Sequence, residues 1–315
     1  MDIKEHLLCP DCGIKLKRAE HLRCTSCGRI FVVHQNFLNL LPARLSQEDK
    51  AEEHFWAADS KEGLKAHPIL TLQMKRDEIA FFSERILPNL KLQGKILEIG
   101  SGACWLSSLI KIEMPEAYVV ASDVSPSALC KGEAISRFMN SRIDTFVACK
   151  IESLPFEDGF FDYVIGSAVL HHTQPQKALS QIIRVLKQGG EFVGTGETAI
   201  PRALHSLWAS RFSPAGSRER ELGVKEGGYS FGQWKRFFYG AGFPYVRFTP
   251  RMYPRYKQGN RLINAFYQIT SRMPQALVLN CLPCVAVIFA AKSNSRATKP
   301  NACSLHSSKD DNSVA

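Results

Sequence analysis

The stretch Lys95-Ile-Leu-Glu98-Ile-Gly100-Ser-Gly102-Ala-Cys104 decides the fold. Its apolar first half predicts a buried β-strand, and its glycines predict a tight turn through which the backbone can approach a ligand closely. A helix is expected directly after the turn, and the free amides at such a helix start favour an anionic group. A strand, a glycine turn and a helix in this order are typical of nucleotide-binding α/β proteins.

Further strands and helices alternate on both sides of the turn, which predicts a parallel sheet with its ligand at the carboxyl ends of the strands. A second strand ends at Asp123, where an acid can bond ribose hydroxyls. Ser125-Pro126 and Ser230 predict two helix starts, and Gly189-Gly190 predicts the end of an amphipathic helix over 174–187. The remaining strands are predicted at 145–148, 161–167, 191–195, 245–249 and 285–292.

Three segments, ILEIGSG, LPFEDGFFDYVIGSAVLHH and ALSQIIRVLKQGG, together resemble class I S-adenosylmethionine-dependent methyltransferases. The resemblance is closest to the type 11 group, which includes the ubiquinone and menaquinone biosynthesis methyltransferases, and it covers residues 94–200. It implies an α/β fold with a Rossmann-like seven-stranded core. An NAD-dependent dehydrogenase is disfavoured, because its third glycine would stand where this chain has Trp105.

The resemblance also implies how S-adenosylmethionine (SAM) is bound. The methionine portion would lie against Glu98 and the turn Gly100-Ser101-Gly102. The ribose would bind Asp123, and the adenine would contact Val124 and Ile151. Ser167 would line the pocket.

Two residues depart from the family pattern. Cys104 occupies the place of a common third glycine, and Lys150 stands where an acid often contacts the adenine amine. A lysine cannot accept that hydrogen bond, so weaker cofactor binding is expected. These departures leave open a non-catalytic scaffold with a degenerate methyltransferase fold.

His171 and His172 follow the fourth strand, at the face where methyl transfer would occur. A histidine titrates near neutral pH, so either could accept a proton or orient a hydroxyl of the acceptor. The alternative is that one or both only hydrogen-bond the backbone of the loop.

Cys9-Pro-Asp-Cys12 and Cys24-Thr-Ser-Cys27 are two Cys-x-x-Cys pairs, each followed by a glycine. Four thiolates from two such turns suit a structural Zn²⁺ with no open coordination position. The alternative is a set of unrelated reduced thiols. Residues 1–42 resemble the Trm112-like zinc ribbon.

Sequence patterns divide the rest of the chain into three predicted regions. Residues 43–93 are predicted to be a helical linker and cofactor lid that starts at a capping box, Ser46-Gln-Glu-Asp49, and carries His54, Phe55 and Trp56. Residues 201–292 are expected to hold substrate-binding insertions and the last two strands, and 293–315 a disordered tail. A second zinc set, Cys281, Cys284, Cys303 and His306, is a weaker alternative.

Charge and composition limit the classes of molecule that could accept the methyl group. The net charge is +10, and residues 201–261 hold most of the excess. This favours an anionic partner. The leading hypothesis is methylation of a small molecule, lipid or saccharide, with RNA methylation as the second, since basic and aromatic residues alternate over 250–283. No secretory signal or transmembrane segment is recognised, so a cytoplasmic protein is expected.

Overall fold

The structure is a computed structural model that describes residues 2–18, 20–34, 36–58, 68–90, 93–204, 228–251, 269–270, 272–282 and 284–293. Seven strands form the predicted core: β6 (Lys95–Ile99), β7 (Tyr118–Asp123), β8 (Thr145–Ala148), β9 (Phe161–Ser167), β10 (Leu186–Ala199), β11 (Tyr245–Arg251) and β12 (Cys284–Ala291). The N-terminal segment supplies β1 (Lys17–Arg18), β2 (Leu22–Arg23), β3 (Ile30–Phe31), β4 (Val33–His34) and β5 (Phe37–Asn39).

The main sheet has nine strands in the order β11-β12-β10-β9-β6-β7-β8-β5-β4. Strands β6 to β10 are parallel, whereas β12 is antiparallel to both of its neighbours. The chain reverses its strand order between β6 and β9, which is where ligands bind in open α/β sheets. The Rossmann-like core of seven strands is thus present, and β4 and β5 extend it beyond the prediction.

The helices are α1 (Gln47–Ala58), α2 (Pro68–Met74), α3 (Arg76–Phe81), α4 (Trp105–Glu113), α5 (Pro126–Phe138), α6 (Pro175–Val185), α7 (Phe231–Gly240) and α8 (Gln275–Cys281). Two predicted helix caps are confirmed. Ser125 accepts from the amide of Ala128, and Ser230 forms a capping box with Gln233.

One helix end was predicted wrongly. Helix α6 ends at Val185, before Gly189, and Leu186 already has the extended backbone of β10. Gly189, with φ of 75°, lies instead within β10, where the register against β9 shifts between Leu186 and Glu191. The glycine therefore serves an irregularity in the strand rather than a helix cap.

The N-terminal segment is packed against the core. Strand β5 pairs in parallel with β8, with Leu38 opposite Val147. Two residues of the N-terminal segment also contact the loop after β8. Leu8 donates its amide to the Pro155 carbonyl over 3.0 Å, and Leu7 forms a β-bridge with Phe156. One buried apolar cluster contains side chains from both parts, so the two share a core.

Most of the basic region over 201–261, the residues Cys303 and His306, and the tail from 294 lie outside the described residues. His54 on α1 is exposed, and the side chains of Phe55 and Trp56 are outside the described set. Among the described helices, none has the length and apolarity that crossing a membrane requires.

Candidate active site

The glycine turn lies at the carboxyl end of β6, between β7 and β9. Gly100 and Gly102 both have positive φ, 60° and 48°. A Cβ on Gly100 would lie 2.2 Å from Cγ2 of Val169, whereas a Cβ on Gly102 would meet nothing within 4 Å. Gly100 is therefore required by packing, and Gly102 borders open space at the ends of the strands.

Asp123, at the end of β7, connects this turn to the neighbouring strand. Its Oδ2 accepts from the Gly102 amide and its Oδ1 from the Ser125 amide, each over 2.8 Å. Burial raises the pKa of Asp123, although the Ser125 and Gly102 amides oppose the shift. Ser101 strengthens the same connection, because its amide donates to the Ser122 carbonyl over 2.9 Å.

Glu98 is buried behind the turn. Its Oε2 accepts hydrogen bonds from both the amide and the hydroxyl of Ser107 on α4. Burial raises the pKa of Glu98 to about 8, against the opposing effect of the Ser107 hydrogen bonds. Glu98 therefore fixes α4 against β6.

Cys104 has φ of 53° and is fully buried. A Cβ on Gly132 of α5 would lie 2.2 Å from the Cys104 sulfur, so the thiol occupies the space that Gly132 leaves. The side chain that replaces the expected glycine is thus accommodated inside the protein, between the turn and α5.

Lys150 follows β8, and its ammonium lies 2.6 Å from Oδ1 of Asp49 on α1. Asp49 also completes the predicted capping box: its Oδ2 accepts from the Ser46 amide, and its own amide donates to the Ser46 hydroxyl. Burial acts to raise the pKa of Asp49, but hydrogen bonds from Lys150 and Ser46 outweigh it and lower the pKa. The cation at this position therefore has an anionic partner from another element.

The other predicted cofactor residues lie around the same strand ends. Val124 follows β7 and is half-buried, and Ser167 is the half-buried last residue of β9. Ile151 begins a short 3₁₀ helix, Ile151–Ser153, after the Cys149 amide has donated to the Asp123 carbonyl. The structure thus brings the predicted cofactor residues together at one edge of the sheet.

A residue that the sequence analysis missed, Glu197, organises the histidine loop. This fully buried carboxylate of β10 accepts from the amides of Val169 and Leu170, both over 2.9 Å, and contacts His171 Nδ1 over 2.9 Å. No local pattern marked Glu197, because the same stretch of β10 also contains a second acid, Glu191, and the polar residues Thr195 and Thr198. The His171 ring is itself buried, and its centroid lies 4.2 Å from that of His172.

The charge of Glu197 is compensated within the fold. Burial acts to raise its pKa, but His171 and the Leu170 and Val169 amides outweigh it and lower the pKa overall. Ionised Glu197 therefore stabilises the fold above the unfolded-state pKa. That stabilisation is lost as pH falls through the lowered folded-state pKa.

The four predicted metal ligands meet in the N-terminal segment. The sulfurs of Cys9, Cys12, Cys24 and Cys27 all lie within 4.8 Å of one another. Those of Cys9 and Cys27 are 3.8 Å apart, and a zinc tetrahedron with Zn–S bonds of about 2.3 Å has edges of about 3.8 Å. The donor set and its spacing therefore fit Zn²⁺.

The turns that carry these thiols have the expected geometry. Gly13 and Gly28 have φ of 69° and 74°, and their amides donate to the carbonyls of Cys9 and Cys24. Burial raises the pKa of the Cys9 thiol to about 12, whereas a backbone hydrogen bond from Cys27 lowers that of Cys24 to about 7. A bound cation would deprotonate all four thiols.

Known proteins match this chain over its α/β core. Residues 97–194 match the family model described as a methyltransferase domain. A malonyl-[acyl-carrier protein] O-methyltransferase of Herminiimonas arsenicoxydans is 33% identical over 152 residues, which are 48% of this chain and 53% of that protein. A tRNA U34 carboxymethyltransferase of Syntrophotalea carbinolica is 32% identical over 35% of this chain and 34% of its own length. A ubiquinone/menaquinone biosynthesis C-methyltransferase of Xylella fastidiosa is 34% identical over 32% of this chain and 42% of its own length.

Two solved structures share the fold. A chain from the complex of the Haloferax volcanii Trm112 methyltransferase activator with a methyltransferase has a TM-score of 0.54 at 14% identity, over 79% of this chain and 99% of its own. Geranyl diphosphate C-methyltransferase of Streptomyces coelicolor has a TM-score of 0.52 at 11% identity, over 80% and 100%. This chain spans about half the length, or less, of the curated relatives named above. Residues 97–194 therefore resemble a methyltransferase domain, and the relatives named above are similar to part of this chain.

Proposed function

We propose, starting from the methyltransferase domain at residues 97–194, that this protein transfers a methyl group from SAM to an anionic small molecule, lipid or saccharide. One observation carries the proposal. The Gly100–Gly102 turn is tied to Asp123 by a hydrogen bond of 2.8 Å and borders open space at Gly102. An acid and a glycine turn joined at adjacent strand ends suit a nucleoside with a charged tail.

SAM, when bound, supplies an electrophilic methyl group on a sulfonium. The chain has to hold this cofactor, align the acceptor atom with the methyl group and exclude water. Asp123, Val124 and Ile151 would hold the nucleoside, and the residues from Gly100 to Gly102 would hold the methionine portion. Glu98 would hold α4 against β6 through its hydrogen bonds to Ser107, and would thereby support the turn that connects the two elements.

His171 is proposed as the group that orients or deprotonates the acceptor. Glu197 contacts its Nδ1, so a proton on that nitrogen leaves Nε2 as the basic atom of the neutral ring. His172, with its ring adjacent, would line the acceptor side. Ser167 would form part of the pocket wall.

RNA is the second candidate acceptor. A tRNA-modifying enzyme is among the relatives, and basic residues are in excess over 201–261. The third alternative is a non-catalytic scaffold. It was suggested by Lys150 and Cys104, which depart from the family pattern, but the fold accommodates both residues. Lys150 is neutralised by Asp49, and Cys104 is accommodated by Gly132.

For residues 1–42 we propose a Trm112-like ribbon that holds a structural Zn²⁺ through Cys9, Cys12, Cys24 and Cys27. Its pairing with β8 favours a role in bracing the core over recruitment of a partner. The further division into a lid region at 43–93, a SAM-binding core at 94–200, substrate elements at 201–292 and a tail at 293–315 is part of the same proposal.

Calorimetric titration with SAM tests the function. We expect micromolar binding by the full chain and at least about tenfold weaker binding by Asp123→Asn, because Asp123 accepts from the Gly102 and Ser125 amides with two different oxygens and Asn replaces one of them with an NH2 donor. Asp158→Asn is the matched control, since that carboxylate is 77% exposed and lies outside the site. Absence of binding by folded, zinc-loaded protein would contradict the methyltransferase proposal.

Glu197→Gln tests the role of the histidine loop. The amide cannot accept from Val169, Leu170 and His171 together, so we expect kcat to fall about 100-fold while the Kd for SAM stays within about twofold. The acid limb of the pH profile of kcat should move to lower pH, since the imidazolium loses its counter-charge. A loss of kcat with an unmoved profile would instead indicate a purely structural carboxylate.

A further inference from the structure

Two ion pairs flank the opposite ends of β8. Asp144 immediately precedes the strand and pairs with Lys111 of α4 over 2.9 Å. Lys150 follows the strand and pairs with Asp49 of α1. Both pairs are mostly shielded: their side chains are 13% and 27% exposed in the first pair and 20% and 14% in the second. Only the second is at the carboxyl ends of the strands.

The Lys150–Asp49 pair lies beside the proposed cofactor site. Cys149, which precedes Lys150, donates its amide to the Asp123 carbonyl over 2.9 Å, and Ile151 follows it. Lys150 is thus bracketed by residues assigned to the nucleoside. The pair reaches from there to α1, which packs against α5, the helix that follows Asp123.

Helix α1 has little apolar anchoring in its described part. From Gln47 to His54 no side chain is fully buried, and the sequence is mostly charged and polar. A helix held by polar contacts rather than by a buried apolar face separates from its support at small energetic cost. Over Gln47–His54, the part of α1 whose side chains the structure describes, the ion pair at the first turn therefore contributes much of what holds the helix in place.

We propose that the Lys150–Asp49 ion pair holds α1 over the nucleoside end of the cofactor site, and that Lys150 and Asp49 thereby determine how tightly the cofactor is retained. Lys150 is then a positioning residue, since it acts through α1. Asp49 uses both carboxylate oxygens on Lys150 and one also on Ser46, and a carboxylate has about four acceptor positions. Acceptor capacity remains on Asp49 for an amino group of the cofactor. This inference rests on the proposed function.

The test compares Lys150→Met, Lys150→Arg and Lys111→Met in the zinc-loaded full chain. The measurements are the Kd for S-adenosylhomocysteine by calorimetry and the hydrogen exchange of the α1 amides with and without that ligand. Lys150→Met should weaken binding about tenfold and speed exchange in α1, because the docked population falls. Lys150→Arg should restore both, since guanidinium can pair with Asp49.

The matched control is Lys111→Met. It removes the ion pair at the other end of the strand and should lower Tm while leaving the Kd unchanged. Equal Kd values for Lys150→Met and the unmodified chain, or equal weakening by both methionine variants, would overturn this proposal alone. Absence of ligand binding by the unmodified chain would overturn the proposed function, and the role of the ion pair with it.

Discussion

Gly100→Ala is expected to lower the free energy of unfolding by about 2–5 kcal/mol, which combines left-handed strain of about 1–2 kcal/mol with overpacking of about 1–3 kcal/mol. The added methyl group would lie 2.2 Å from Cγ2 and 2.8 Å from Cβ of Val169, so the branch point of that side chain, and not only its tip, has to shift. Urea unfolding followed by circular dichroism measures the effect. Cofactor binding should be lost along with the position of the turn.

Gly102→Ala separates the structural role of a glycine from its role in binding. Its φ of 48° costs an alanine about 1–2 kcal/mol, but its Cβ would meet nothing within 4 Å. We therefore expect a folded protein of modestly reduced stability that binds SAM at least about tenfold more weakly, because the methyl group enters the space proposed for the cofactor. If Gly102→Ala bound SAM normally, the cofactor would not lie against this turn.

Cys24→Ser, or removal of metal by a chelator, is expected to produce the largest loss of stability in the N-terminal segment. A structural zinc contributes about 10–16 kcal/mol of apparent binding free energy to small domains, and a three-thiolate site loses much of it. The loss should reach the core, because β5 covers the edge of β8 and Leu38 and Leu40 are buried at that junction. An uncovered strand edge also promotes aggregation.

The measurements are zinc content by atomic absorption, Tm, and light scattering during heating. Cys130→Ser is the control, because that thiol is exposed on α5 and outside the cluster. Purified protein without stoichiometric zinc, and with the same Tm for Cys24→Ser as for the control, would contradict the proposed metal site.

Local patterns were sufficient for much of the architecture. The alternation of apolar strands with helices, the glycine turn and the caps at Ser125 and Ser230 depend on residues near one another in the chain, and each was predicted. The end of α6 was predicted wrongly, because Gly189-Gly190 has the composition of a helix stop. Pairing with β9 overrode that preference and continued the chain as a strand from Leu186.

Contacts between distant segments were not predictable in the same way. The hydrogen bonds of Glu197 to the histidine loop join residues 26 to 28 positions apart, and the Lys150–Asp49 pair joins residues 101 positions apart. In sequence, Lys150 was only a departure from a family pattern. The structure shows that its charge forms an ion pair with Asp49 on α1.

The sequence by itself determined the α/β class, the order of the strands along the chain, the strand ends at which the candidate site residues lie and the two thiol pairs. These follow from the periodicity and chemistry of short segments, which are independent of what packs against them. Only the tertiary structure decided that β5 joins the sheet, that Gly132 accommodates Cys104 and that Glu197 and Asp49 supply the charges facing His171 and Lys150. Each of these depends on which surfaces meet when the chain folds, and that is fixed by the packing of the whole core rather than by any local pattern.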